Sequence, residues 1–122
     1  MKIFLYSELG DQSVNILEKL IKTHFPELEM VVYRTINDLS QSLRQPTEDL
    51  GILILHISNK EDLNNILSIR YLLQNIRIIL LLPNKAPETL VLAHQLRPRF
   101  LTNINSDLAE ITAVLKKMLN GQ

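Results

Sequence analysis

Cysteine and tryptophan are absent from the 122-residue chain. The first absence excludes a disulfide-stapled scaffold and a thiolate metal site. Only three glycines occur, so the segment Ser7 to Ser13 lacks the clustered glycines of a phosphate-cradling loop, and its carboxylates Glu8 and Asp11 repel a phosphate. An excess of charge of one sign is also missing. Thirteen Lys and Arg balance thirteen Asp and Glu, and no overall field draws the chain to nucleic acid or to an anionic membrane. No apolar run reaches the roughly 18 to 20 residues that span a bilayer. The opening Met1 to Tyr6 reads as a short strand that meets acid at Glu8, without the longer apolar stretch and small-residue cleavage site of a signal peptide. The expectation is a cytoplasmic protein that binds no nucleic acid by itself and no membrane.

What is present is apolar residue, 46% of the chain. That content and length suit a single domain over residues 1–122, large enough to bury a real core and too short for two domains. Leu50 to Ile57 is so apolar that it reads as a strand buried on both faces, which is how strands in the middle of a parallel sheet read. Ile76 to Leu82 has the same character, and Lys2 to Tyr6, Glu29 to Tyr33 and Arg99 to Thr102 are shorter, less apolar strands. Between them lie helical patterns. Val14, Leu17, Leu20 and Ile21 recur at helical spacing from Asp11 to the breaker Pro26. Asn37 can cap a short helix carrying Leu39 and Leu43. Ser58 to Glu61 has the form of a capping box, with Leu63, Ile66, Leu67 and Leu73 following. Pro87 suits the first turn of a helix running to about Leu96. A last helix starts at Asn105 or Ser106, carries Leu108, Ile111, Leu115, Met118 and Leu119 inward, and ends at Asn120 and Gly121.

Strand and helix thus alternate through the chain, and right-handed crossovers then predict an α/β fold of three layers, a doubly wound parallel sheet of five strands with helices on both faces. In such sheets ligands meet the carboxyl ends of the strands. His56 closes the third strand at that address.

Asp49 and Leu50 leading into the third strand, a polar group closing it, and Phe100 to Asn103 followed by Ser106, Asp107 and Leu108 opening a helix together resemble the receiver domain of bacterial two-component response regulators. The resemblance spans the whole chain and implies the flavodoxin-like (CheY-like) strand order 2-1-3-4-5. It implies four chemical groups as well. Paired carboxylates after the first strand hold magnesium, an aspartate ending the third strand accepts the phosphoryl group, and a hydroxyl after the fourth and a lysine after the fifth contact the phosphoryl oxygens. At the matching positions this chain carries Ser7 and Glu8, His56, Leu82, and Asn103 with Ile104 after it. All four chemical groups are changed. Phe100 alone keeps the family's type, an aromatic whose rotamer reports activation, and it has lost the hydroxyl it follows.

His56 has two readings: a phosphorylated histidine, general base or metal ligand, or a neutral imidazole bonded to a neighbouring loop. His24 and His94 fall on helices and supply no second ligand at sensible spacing, which favours the neutral imidazole. Glu8 with Asp11 could hold a divalent ion weakly, yet acids at a helix start are explained by capping and by the helix dipole. The family's partner face is the fourth helix, fifth strand and fifth helix. There Arg97, Arg99, Lys116 and Lys117 gather, either to dock an acidic partner or as a solvated face. Leu90, Val91, Leu92 and Ala93 form an apolar run wider than one face needs, so one or two should point outward, with Leu92 a candidate contact.

The expectation is a non-enzymatic receiver-like signalling module with no cofactor and no metal. It works through a protein partner or as a homodimer through the fourth helix, fifth strand and fifth helix. The alternative is a small α/β enzyme or phosphocarrier that uses His56 with Glu8. Whether the chain is part of a larger regulator stays open.

Overall fold

A computed structural model describes residues 1–8, 12–104 and 108–120. The strands are β1 (Lys2–Ser7), β2 (Glu29–Tyr33), β3 (Leu50–His56), β4 (Ile78–Leu82) and β5 (Phe100–Asn103), and the helices are α1 (Gln12–His24), α2 (Ile36–Leu43), α3 (Lys60–Ser68), α4 (Pro87–His94) and α5 (Leu108–Asn120). All neighbouring strands pair in parallel, in the order β2-β1-β3-β4-β5. This is the flavodoxin-like, CheY-like three-layer αβα arrangement expected from the alternation of strand and helix. Among the described residues no helix is long and apolar enough to cross a membrane.

The central strands are apolar at every position because both of their faces are covered. Successive side chains of a strand alternate between faces. Leu53, Leu55 and Ile57 enter one cluster with Leu39, Leu63, Ile66 and Ala93 from α2, α3 and α4. Ile52 and Ile54 enter the other with Leu17 and Ile21 from α1 and Ile111 and Leu115 from α5. Leu53, Leu55, Ile52 and Ile54 are all fully buried, and truncating any of them to Ala should cost about 2 to 5 kcal/mol. The sheet is therefore the shared wall of two separate cores.

Several boundaries differ from the sequence reading, and local chemistry explains each. The cap of α3 is Asn59, one residue after the Ser58 expected, and its side chain accepts from the Asp62 amide at 2.8 Å. Thr35, not Asn37, caps α2 by accepting from the Asp38 amide. Leu73 lies beyond α3, past a 3-10 turn at Arg70–Leu72. Asn75 then takes a left-handed backbone with φ 67°, and the amide of Ile76 is tied to Leu73, so β4 starts at Ile78 instead of Ile76. Helix α4 stops at His94, short of Leu96, because Gln95, Leu96 and Arg97 close i to i−3 turns and Arg97 is left-handed with φ 52°. That turn delays β5 by one residue. The expected roles of Asp11 at the first helix, Asn105 or Ser106 at the last, and Gly121 after it lie outside the described residues.

At the opposite end of the sheet from His56, Arg77 ties layers together. Its guanidinium donates to the Gly51 carbonyl at 3.0 Å and to the Met118 carbonyl at 2.8 Å, so one half-buried side chain joins β3 to the last turn of α5. Cationic donors suit the free carbonyls at a helix C-terminus.

Candidate functional site

The register of the sheet fixes which side chains meet at the carboxyl ends. Ser7 lies opposite His56, His56 opposite Leu81, and Leu81 opposite Thr102. Ile3, Leu5, Ile54, Ile79 and Phe100, each an even number of residues before a member of this row, pack in the α1 and α5 cluster. By strand alternation the whole row therefore faces those two helices. It is closed to solvent: Ser7 is 0% exposed and His56 is 2% exposed. The Ser7 Oγ and His56 Nδ1 stand 3.2 Å apart. The imidazole is thus bonded to the neighbouring strand, where the sequence reading expected a loop.

Leu82 and Asn103 form the next row and lie opposite each other. Leu82 belongs to the cluster under α2, α3 and α4, and Asn103 shares the parity of Leu101 in that same cluster. The positions matched to the phosphoryl-contacting hydroxyl and lysine therefore lie on the face opposite to His56. The register brings Thr102 into the His56 row instead, which the sequence reading missed because pairing register is not written in any one strand.

A second polar pair sits on the α2–α4 side. The Tyr6 hydroxyl donates to Asp62 Oδ1 at 2.8 Å, and the Ser58 amide donates to Asp62 Oδ2 at 3.3 Å. Asp62 is 1% exposed. Its charge is supported by the positive end of α3, in whose first turn it lies. Burial pushes the Tyr6 hydroxyl well above the usual phenol range, with the Asp62 hydrogen bond, the Asp62 charge and the Glu8 charge adding to it. The sequence signal for this pair was Asn59-x-x-Asp62, one residue out of step with the capping box read there.

Glu8 is exposed just beyond β1, and Arg34 reaches the Ser7 carbonyl at 3.4 Å from the end of β2. Asp11 lies outside the described residues. Magnesium requires several hard oxygen ligands. Around the end of β3 the described residues offer an imidazole, an exposed glutamate, and an aspartate whose two oxygens are already bonded. They do not fit a receiver's magnesium ion. Among the described residues no group of three His, Asp or Glu is arranged to hold a metal.

The remaining candidates are dispersed. Val91 points outward and is 64% exposed, whereas Leu92 is half-buried against the α2–α4 cluster. Phe100 packs with Ile104 and Leu108 on the α1 and α5 side. Lys116 and Lys117 are exposed on α5, and Lys116 borders a depression with Met1 and His24. Arg97 and Arg99 instead join Arg70 and Arg77 along a groove at the amino ends of β4 and β5. His24 and His94 end α1 and α4, far along those helices from the sheet edge that carries His56.

No protein-family model matches the chain, and no curated protein matches it. Solved structures do. A two-component response regulator from Clostridium difficile aligns over 98% of this chain and 95% of its own, with TM-score 0.72 and 13% identity. A pilus assembly protein, CpaE, from Burkholderia thailandensis E264 aligns over 99% of both chains, with TM-score 0.67 and 15% identity. At these identities the likeness is one of fold.

Proposed function

We propose that this chain is a receiver-like signalling module that takes no phosphoryl group on aspartate, is not an enzyme, uses no metal or cofactor, and acts through a protein partner. The observation that carries the proposal is the buried Ser7–His56 pair at the end of β3. An aspartyl phosphate needs a carboxylate open to a phosphodonor, with cationic or hydroxyl donors converging on it. His56 offers no carboxylate, and Leu82 and Asn103 belong to the other face. Asp62 is buried, with Tyr6 and Ser58 on its two oxygens. What remains of a receiver is its scaffold, so the function falls to a surface that the scaffold presents.

The competing reading, a small enzyme or phosphocarrier using His56 with Glu8, needs an imidazole that opens onto substrate. At 2% exposure His56 does not offer one, and it lines neither the groove at Arg97 and Arg99 nor the depression at Met1, His24 and Lys116. Incubation with acetyl phosphate and magnesium, read by intact mass, tests both readings. The proposal expects no adduct. A hydroxylamine-sensitive adduct overturns it, and an acid-labile adduct lost in His56→Asn establishes the phosphocarrier.

A further inference from the structure

The groove at the amino ends of β4 and β5 gathers four of the six arginines in the sequence, Arg70, Arg77, Arg97 and Arg99, and among the described residues no acidic side chain lines it. In a chain of zero net charge this is a local concentration of one sign. The bonds these side chains make go to neutral oxygens. Arg70 donates to Gln95 Oε1 at 2.8 Å, and Arg77 is held by the Gly51 and Met118 carbonyls. Arg97 and Arg99 are exposed, and among the described residues neither guanidinium has a hydrogen bond or ion pair. Like charges crowded without counterions cost free energy in the folded state, and an arriving anion relieves that cost.

The backbone sets this arrangement. Asn75 and Arg97 both take left-handed conformations, which favour Asn or Gly and are uncommon for Arg. Both residues line the groove. Arg99 is fixed beside β4 by its amide bond to the Ile78 carbonyl at 2.8 Å. Leu73 and Leu96, both nearly buried, contribute apolar surface to its lining, and the space is about 950 Å³.

We infer that this groove is a docking site for an acidic segment of a partner protein, with Arg97 and Arg99 as the principal contacts. The inference rests on reading the chain as an interaction module, and it names the chemistry of the partner. Planar guanidinium forks match carboxylates in pairs. The arginines come from separate elements, the 3-10 turn, the start of β4 and the α4–β5 turn, so they suit a ligand carrying several charges along its length. Among the described residues no aromatic side chain lines the groove for a base to stack on, which disfavours single-stranded nucleic acid. The site lies at the sheet edge opposite His56 and owes nothing to the receiver pocket.

The test is a titration of the 15N-labelled full chain with a short peptide rich in Asp and Glu, followed by amide shifts, with inorganic phosphate and a single-stranded RNA as parallel probes. The expected result is saturable shifts confined to residues 70–77 and 95–99, weakening as salt rises. The doubly exposed variant R97Q/R99Q should bind about tenfold or more weakly, whereas K116Q/K117Q should bind as wild type. Circular dichroism shows whether each variant remains folded. Shifts absent from the groove, equal losses in both variants, or tighter response to RNA or phosphate than to the peptide overturn the inference. The phosphodonor experiment reads His56 at the other end of the sheet, so failure of the module reading and failure of this one are separable.

Discussion

Ser7 Oγ and His56 Nδ1 stand 3.2 Å apart across neighbouring strands, at the carboxyl edge of the sheet and out of reach of solvent. A hydroxyl paired with an imidazole in that row makes it a joint between β1 and β3.

If His56 serves structure, an uncharged polar replacement should be tolerated and a charged one should not. His56→Asn is expected to cost about 1 to 3 kcal/mol in urea unfolding and to leave binding of the acidic peptide unchanged. His56→Asp, which places there the residue type that receiver domains carry, buries a carboxylate and should cost several kcal/mol more. Equal stability of the two variants contradicts this.

The Tyr6–Asp62 bond makes a pH-dependent contribution with a definite sign. The folded state holds the Tyr6 proton more tightly than the unfolded chain, whose phenol titrates near 10.0. The contribution is therefore complete below that value and is lost as pH rises through and beyond it. Tyr6→Phe leaves an Asp62 oxygen without its donor and should cost about 1 to 3 kcal/mol at pH 7. Above pH 10 the gap in urea midpoint between wild type and variant should narrow. A gap that widens with pH refutes the assignment.

Arg77 donates to carbonyls on two layers. Arg77→Met keeps the stem but frees both carbonyls, and a loss of about 1 to 3 kcal/mol is expected from thermal or urea unfolding. Arg77→Lys should recover only part of it, because a single ammonium lacks the fork that reaches two acceptors.

Gly51 gives a contrasting case. A Cβ there would stand 2.6 Å from Met1 Sδ and 2.7 Å from Met1 Cγ, but Met1 is 54% exposed and its side chain can swing aside. Gly51→Ala should stay within about 1 kcal/mol of wild type in urea unfolding.

The sequence made the fold legible because two strands, Leu50–His56 and Ile78–Leu82, are apolar without alternation, and only a sheet covered on both faces explains that pattern. The site was legible in part. His56 could be placed at a strand end from the chain alone, since that requires only knowing where the strand stops. Its pairing with Ser7, the place of Thr102 in its row and the opposite facing of Leu82 and Asn103 depend on register between strands, which is a property of two segments together. The arginine groove was half visible, for the same reason. Arg97 and Arg99 are neighbours in sequence, but Arg70 and Arg77 reach them only through the turn at Asn75 and the pairing of β4 with β5.

The central proposal, that the end of β3 takes no phosphoryl group, is tested most directly by titrating the 15N-labelled protein with beryllofluoride and magnesium and following the amides of Ser7, Glu8, His56, Ile57 and Asn103. The account predicts no saturable shift at these positions at any beryllofluoride concentration. Saturable shifts centred on the end of β3 would contradict it.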